Sequence, residues 1–391
     1  MKTSYTRGPV SSKIRLFTDS AIREMSALAD ATGAVNLAQG SPDFPSPTPL
    51  KKAAVAAIHR DHNQYEVNAG SLALRRAIAA KARSFNGIEA SAEDNVTVTC
   101  GSTEAITATL VALTEAGDNV IVPEPFYESY VPATLISGAR ATHVRMNEPG
   151  FTFAEEELKA AFSQRPKAIL INTPNNPTGR VLSWVELKAI ADLCEDYDVL
   201  AITDEIYERI TYDGKSHTSL ATIGDMQERT VTVSGMSKTF SITGWRIGYA
   251  IAEKRLTKAI RTIHDFLTVC APSPFQEAAA KALELPDSYY WQLSHTYDKK
   301  RRFMSKSLTD LGFTFEEPEG AYYVFADFGE MHKGDDYAFA RWLITEAGVA
   351  VVPASSFYSN RSGGRSKVRF AFPKKDATLR DAVDRMRVKL A

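Results

Sequence analysis

Short apolar runs alternate with amphipathic stretches along the chain from about residue 50 to residue 285. The amphipathic stretches, such as TEAITATLVALTEAG and SWVELKAIADLCEDY, carry apolar residues at three- and four-residue spacing, which predicts helices. Seven runs rich in β-branched residues are predicted to be strands: NVTVTC, NVIVPE, ATHVRM, AILINT, LAITDE, RTVTVS and RIGYAIA. Strands that alternate with helices predict an α/β fold with a mostly parallel, seven-stranded sheet between helices.

The pattern changes near residue 285. A long polar helical region that contains YDKKRRFMSKSLTDLG is followed by short strands around GAYYVFADF and SKVRFAF, which is typical of an α+β domain. The Pro-rich stretch QGSPDFPSPTPL marks a second break near residues 39–50. We therefore predict an N-terminal segment, 1–45, that packs with the small domain, a large domain, 46–285, and a small C-terminal domain, 286–391. The KKRR run at 299–302 is predicted to be a solvent-exposed helix face.

Composition narrows the classes of partner. The length of 391 residues exceeds the size at which single cores stop growing, and the net charge of -1 offers no basic footprint for nucleic acid. No run approaches 18 apolar residues and the start shows no secretory pattern, so we expect no membrane span and a cytoplasmic location. Cys100, Cys194 and Cys270 are odd in number and widely spaced, so we expect buried thiols and neither disulfides nor a zinc site.

The turn in VTVTCGSTEAI has the chemistry of a phosphate site. Gly101 precedes Ser102 and Thr103 at a predicted helix start, where free backbone amides and the helix dipole favour an anion. Plain helix capping by the two hydroxyls is the alternative. The chain has neither a G-x-G-x-x-G nor a P-loop fingerprint, which disfavours a nicotinamide-dependent enzyme.

Polar residues also follow several predicted strands. Asn176, Asp204 and Tyr207 come after strands whose carboxyl ends should meet at one edge of a parallel sheet, where such folds bind ligands. Lys238 follows another strand, and a lysine held among apolar and cationic neighbours becomes a nucleophile towards carbonyls. Each residue also has a local alternative: a turn, a helix cap or a surface lysine in a loop.

These residues lie in motifs that resemble those of a known family. TPNNPTG, DEIY and SGMSKTFSITGWRIGYA, together with QGSPDFPSP, NQYEVNAG, GSTEAI and EPFYESY, match the class I/II aminotransferases of the fold type I pyridoxal-phosphate (PLP) enzymes over nearly the whole chain. Within that family the chain is similar to the subgroup that contains kynurenine/glutamine-type, methionine, aromatic and some aspartate aminotransferases. The resemblance implies the fold type I PLP-transferase fold and PLP as cofactor.

The resemblance implies a role for each residue around the cofactor ring. Lys238 matches the lysine that forms a Schiff base with PLP and then acts as general base and acid. Asp204 matches the carboxylate that pairs with the ring nitrogen, and Asn176 and Tyr207 match the donors to the phenolic oxygen. Tyr127 matches the aromatic residue stacked on the ring.

The resemblance also implies the groups that hold the two ends of the ligand. The phosphate would be held by amides, hydroxyls and one guanidinium: Ser102, Thr103, Ser237 and Arg246, with Ser234 a weaker candidate. Tyr65 matches a tyrosine that reaches the phosphate of a neighbouring subunit, which implies a homodimer with shared active sites. Arg369 matches the arginine that grips the substrate α-carboxylate, assisted by Asn176 and by backbone at Gly40. In KVRFAF, alternation independently places Arg369 on the face opposite Val368 and Phe370.

We therefore expect an aminotransferase that moves the amino group of an L-α-amino acid to a 2-oxo acid such as 2-oxoglutarate by a ping-pong mechanism. Four aromatic residues are expected near the mouth and favour neutral or aromatic donors: Phe17, Phe44, Tyr65 and Tyr127. Aspartate is a further candidate donor. No metal is expected, since His59 and His62 lack a third ligand. A carbon-sulfur β-lyase acting on cysteine conjugates shares every motif and stays open. A PLP-responsive transcription regulator is disfavoured, since only about 40 residues precede the first motif.

Overall fold

The computed structural model describes residues 10–390, and its centre is an eight-stranded sheet with the strand order β2-β9-β8-β7-β6-β3-β4-β5. Residues 1–9 of the predicted N-terminal segment lie outside the described residues. The strands of this sheet are β2 (Val96–Thr99), β3 (Asn119–Glu124), β4 (Arg140–Asn147), β5 (Thr152–Phe153), β6 (Ala168–Asn172), β7 (Leu200–Asp204), β8 (Thr230–Gly235) and β9 (Gly248–Ile251).

The prediction of a mostly parallel sheet is confirmed, with one additional strand. The pairs β4–β3, β3–β6, β6–β7 and β7–β8 are parallel, whereas β9 runs antiparallel to both β2 and β8. All seven predicted strands are present. The eighth strand, β5, pairs antiparallel with β4 at the edge. With only two residues it is too short to show an alternation in the sequence.

Helices cover both faces of this sheet, which is why β6 and β8 are buried at every residue and read as continuous apolar or small-residue runs. Within the described chain α4 packs against α5 and α8, and α2 packs against α9. The helices are α1 (Ala21–Thr32), α2 (Thr48–His59), α3 (Leu72–Lys81), α4 (Ser102–Leu113), α5 (Tyr130–Ser137), α6 (Glu155–Ser163), α7 (Trp184–Asp196), α8 (Lys254–Thr268), α9 (Ser273–Leu283), α10 (Asp287–Asp310), α11 (Asp336–Ala347) and α12 (Asp376–Leu390). No described helix has both the length and the apolar composition that a membrane span requires.

A second, antiparallel sheet forms in the C-terminal part, in the order β10-β11-β14-β13. Its strands are β10 (Thr314–Phe315), β11 (Tyr323–Asp327), β13 (Val352–Pro353) and β14 (Lys367–Ala371). Near the N-terminus, β1 (Val35–Asn36) pairs in parallel with β12 (Val349–Ala350). The N-terminal segment thus contacts the C-terminal part of the chain, while the division into domains at 45 and 285 stays a prediction.

Two expectations about surface and core were partly wrong. Lys300 and Arg301 of the KKRR run are buried, because α10 turns them onto the protein. Lys300 Nζ donates to the Lys374 carbonyl at 2.6 Å, and Arg301 Nη1 donates to the Pro318 carbonyl at 3.1 Å. Among the cysteines, only Cys194 is fully buried. The other two are half-buried, and all three are free thiols: Cys100, Cys194 and Cys270.

Candidate active site

A cavity of about 490 Å³ opens at the carboxyl ends of the parallel strands, a volume within the usual range for small-molecule sites. The structure brings eleven of the twelve predicted site residues to its walls: Gly40, Ser102, Thr103, Tyr127, Asn176, Asp204, Tyr207, Ser237, Lys238, Arg246 and Arg369. These residues come from stretches that are up to 329 positions apart in the sequence, yet they line one cavity.

One wall of the cavity has the features of an anion site. Gly101 has φ +82° at the start of α4, and a Cβ added there would lie 2.2 Å from the Arg246 guanidinium. Arg246 has a left-handed backbone with φ 56°, and its Nη1 donates to the Thr243 carbonyl at 2.9 Å. Neither Ser102 nor Thr103 caps α4 with its side chain. The helix start, two free hydroxyls and a guanidinium together suit a phosphate.

Asp204 is the last residue of β7, and its carboxylate is buried against the cavity. It accepts hydrogen bonds from the Tyr130 hydroxyl at 2.8 Å and from the Ile206 backbone N–H at 3.2 Å. Burial raises the pKa of Asp204 to about 6, although these two donors and the Lys238 charge act in the opposite direction. The carboxylate is therefore ionised at neutral pH but binds a proton readily.

Lys238 lies in the turn after β8, where Met236 and Phe240 are buried in the core on either side of it in sequence. Burial, together with the charges of Arg369 and Arg246, lowers the pKa of Lys238 to about 8, and the charge of Asp204 acts in the opposite direction. Its Nζ donates to the Gly40 carbonyl at 3.2 Å. An amine with this pKa is deprotonated far more readily than an ordinary lysine, as a nucleophile or base requires.

Arg369 lies on β14 and is only 1% exposed, which excludes an exposed strand arginine. Its Nη1 donates to Asn176 Oδ1 at 2.7 Å and its Nη2 donates to the Ala38 carbonyl at 2.6 Å. The guanidinium lies 4.3 Å from the centroid of the Tyr323 ring. Its Nε is buried and has no partner within the described residues. Val368 and Phe370 are buried as well, so both faces of β14 are covered and the alternation in KVRFAF stays a prediction.

Sequence reasoning missed three residues that contact the predicted ones. Tyr130 bonds Asp204, and Tyr323 Oη lies 2.7 Å from Tyr207 Oη. Asn172 Nδ2 donates to the Asp204 carbonyl at 2.8 Å, and its Oδ1 accepts from the Asn176 backbone N–H at 2.7 Å. Asn172 ends the strand AILIN, so the strand-end argument could have found it. Tyr130 and Tyr323 carried no separate signal, because core tyrosines are common.

Other expected residues lie away from the cavity. Tyr65 is 84% exposed and does not line it. Ser234 is buried behind the site, where its Oγ donates to Glu208 at 3.0 Å. Phe17 and Phe44 do not line it either, so the expectation of an aromatic mouth was wrong for both. Phe44 packs instead near Tyr297, with 6.3 Å between the ring centroids.

A buried charged cluster lies behind Asp204. Glu205 accepts from His217 Nε2 at 2.7 Å and from Ser219 Oγ at 2.5 Å. Lys81 Nζ donates to Glu208 and, at 3.1 Å, to the Tyr249 hydroxyl. The two glutamates and His217 have the chemistry of metal ligands. Because the Lys81 ammonium already contacts Glu208, the cluster contains its own cation.

The sequence matches a family model described as aminotransferase class I and II over residues 32–386. The probable N-succinyldiaminopimelate aminotransferase DapC of Mycobacterium tuberculosis is 38% identical over 387 residues, covering 96% of this chain and 98% of that protein. The methionine aminotransferase of Escherichia coli is 34% identical and covers 93% of this chain and 94% of that protein. The solved structure of N-succinyldiaminopimelate aminotransferase from Mycobacterium tuberculosis superposes with a TM-score of 0.95 at 38% identity, covering 98% of this chain and 100% of that one.

Proposed function

Because the chain belongs to the class I and II aminotransferases, which transfer amino groups with pyridoxal phosphate, we propose that the cavity around Lys238 is its active site. One observation carries the proposal: a lysine of lowered pKa, a buried carboxylate and two arginines line the same cavity. Two permanent cations are what a substrate carboxylate and a cofactor phosphate require, and the lysine and aspartate are the reactive groups between them.

The residues present fit the cofactor. Because Gly101 has no side chain, the Arg246 guanidinium lies directly against the start of α4, and this cradle suits a phosphate held by Ser102, Thr103, Ser237 and Arg246. When bound, pyridoxal phosphate supplies an electron sink for the negative charge that develops at the α-carbon of the substrate.

The remaining polar residues would orient the ring and hold its protons. We assign Asp204 to hold a proton on the ring nitrogen, as its buried carboxylate can. Tyr207 and Asn176 would donate to the phenolic oxygen, and Tyr127 would stack on the ring. Since Asn176 Oδ1 accepts from Arg369, the amide NH₂ of Asn176 is left to donate.

Lys238 and Arg369 act on the amino acid itself. Arg369 binds the α-carboxylate with its planar fork, together with Asn176 and backbone at Gly40. Lys238, whose pKa is lowered to about 8, would take the proton from the α-carbon of the substrate as a general base and would release it again as a general acid. Burial, the two arginines and Asp204 together set the pKa of that amine.

We also propose a homodimer in which Tyr65 enters the partner's cavity. Tyr65 is 84% exposed and lies outside its own cavity, and the apolar side chains of Val67 and Phe266 are also exposed. Ser273 Oγ donates to the Gln64 carbonyl at 2.6 Å, which joins the Tyr65 loop to α9.

Light scattering should give a dimer mass, and Tyr65→Phe should weaken PLP binding in that dimer. A monomer that binds PLP normally would contradict the assignment.

The proposed substrates are L-α-amino acids with neutral or aromatic side chains, with aspartate a further candidate, and 2-oxo acids such as 2-oxoglutarate. Relatives of this chain are named as methionine, aromatic, kynurenine and aspartate aminotransferases. Those names support a broad class of substrates and no single substrate.

The three free cysteines support a cytoplasmic location.

An absorbance experiment tests the active-site assignment. Purified protein with PLP is mixed with a panel of amino acids without any acceptor, beside Lys238→Ala and the surface control Lys306→Ala. We expect the visible PLP band to disappear with one 2-oxo acid released per site, in wild type and in the control only. A band that persists while cysteine conjugates yield pyruvate continuously would assign β-elimination instead. No band after PLP addition would refute the site.

A further inference from the structure

The mouth of the cavity carries charge that the proposed function does not use. Of the charged side chains that line the cavity, Asp204, Lys238, Arg246 and Arg369 already have roles. Arg23 and Glu128 line it as well and have none.

Arg23 is held at the cavity through its backbone. It lies in the first turn of α1, and its N–H donates to Ser20 Oγ at 3.2 Å. The same Ser20 hydroxyl donates to Glu128 Oε1, so the start of α1 is joined to the loop that carries Tyr127. Arg23 is therefore fixed in position relative to the ring-binding wall.

The guanidinium of Arg23, in contrast, is available. Within residues 10–390 it has no hydrogen-bond or ion-pair partner. Its neighbour Glu24 is paired with Arg341 at 2.6 Å, and Glu128 accepts from Ser20, so neither carboxylate neutralises Arg23 within ion-pair distance. The other mouth residues are uncharged: Ile22, Gln39, Ser41 and Ser129.

We propose that Arg23 binds the distal carboxylate of dicarboxylic substrates such as 2-oxoglutarate and glutamate. This inference rests on the proposed function, in which Arg369 binds the α-carboxylate. An arginine fork matches a carboxylate bidentately, and Arg23 is the one lining cation of the described residues without another assignment. Since Arg23 is exposed, it remains hydrated when a neutral side chain occupies the mouth, so one cavity accepts both classes.

The test compares two acceptors of equal length, 2-oxoglutarate and 2-oxopentanoate, with one neutral donor. In Arg23→Met the ratio of kcat/KM for 2-oxoglutarate to kcat/KM for 2-oxopentanoate should fall about ten- to hundredfold, the effect of losing one charge-assisted contact. Arg23→Lys should retain part of the preference. Arg76→Met, an exposed arginine on α3, is the control and should leave the ratio unchanged.

A binding measurement separates this role from turnover. In calorimetric titrations, Arg23→Met should raise the Kd for glutarate by about the same factor as it lowers the kcat/KM ratio. The Kd for pentanoate should be the same in Arg23→Met and in the wild type. An unchanged ratio in Arg23→Met, or a wild type that accepts 2-oxopentanoate but not 2-oxoglutarate, would overturn the inference. Absence of transfer with every donor and acceptor would overturn the proposed function instead.

Discussion

The Tyr130 hydroxyl donates a hydrogen bond of 2.8 Å to the buried carboxylate of Asp204. This bond holds the pKa of Asp204 lower than burial alone would set it. Both side chains line the cavity, so a residue that sequence reasoning left out helps to keep the proposed partner of the ring nitrogen ionised at neutral pH.

Tyr130→Phe should therefore raise the pKa of Asp204 above about 6. As the pH falls, the carboxylate would be protonated earlier, and the acidic limb of the kcat profile would move to higher pH. At neutral pH we expect a loss of about tenfold, as for a hydrogen bond to a charged group. Rates between pH 5 and pH 8 would show this, with the surface variant Tyr197→Phe as control. An unmoved acidic limb would contradict it.

Lys238→Met should stabilise the cofactor-free protein, and the gain should depend on pH. Below about pH 8 the native protein must bury an ammonium, and this penalty disappears as the pH rises from about 8 towards the ordinary value of 10.5. The difference in unfolding free energy between the variant and the wild type should thus be largest below pH 8 and shrink above it. Urea titrations at several pH values measure it, with Lys306→Met as control. A difference that does not vary with pH would count against a buried Lys238 ammonium.

Gly101→Ala should weaken PLP binding. The new Cβ would lie 2.2 Å from the Arg246 guanidinium, and φ +82° is itself unfavourable for alanine. We expect the Kd for PLP to rise at least about tenfold, as for one lost charge-assisted contact. Gly117→Ala, with φ +95° and open space around its Cβ position, isolates backbone strain from the clash. If both variants bind PLP equally well, the Gly101 cradle does not hold the phosphate.

Lys81→Met should destabilise the fold by about 3–5 kcal/mol, because Glu208 would be left buried without its ammonium partner. The side chains of Lys81 and Glu208 are only 8% and 5% exposed. Arg60→Met breaks the exposed pair with Glu277 and should change stability by less than about 1 kcal/mol. Denaturant unfolding of the two variants gives the comparison. Equal, small losses would show that the buried pair contributes no more than a surface one.

Local patterns predicted seven strands of the large sheet because each of them is four or more residues long and is separated from the next by a periodic helix or a turn. The same patterns placed Asp204 and Lys238, since parallel strands bring their carboxyl ends together. Arg369 could be placed on a strand face by alternation, but its bonds to Asn176 and Ala38 depend on packing that no local pattern encodes.

The wrong prediction for the KKRR run and the omission of Arg23 also result from packing that no local pattern encodes. The KKRR run is polar in every residue, so only the contacts of α10 with the Lys374 and Pro318 carbonyls could show that two of its members are buried. Arg23 was missed because one exposed arginine on a surface helix is unremarkable until the cavity beside it is known. Tertiary contacts between residues far apart in the sequence determine both the burial of Lys300 and Arg301 and the position of Arg23 beside the cavity.

The pairing of β1 with β12 also constrains the order in which the chain can assemble. Leu37 N–H donates to the Ala350 carbonyl and Ala371 N–H donates to the Leu37 carbonyl, and the next residues supply the Ala38 and Gly40 carbonyls that bond Arg369 and Lys238. During synthesis residues 35–40 leave the ribosome long before their partners at 349–371. The early segment must therefore wait unpaired, and the cavity can close only after residues 349–371 have been made.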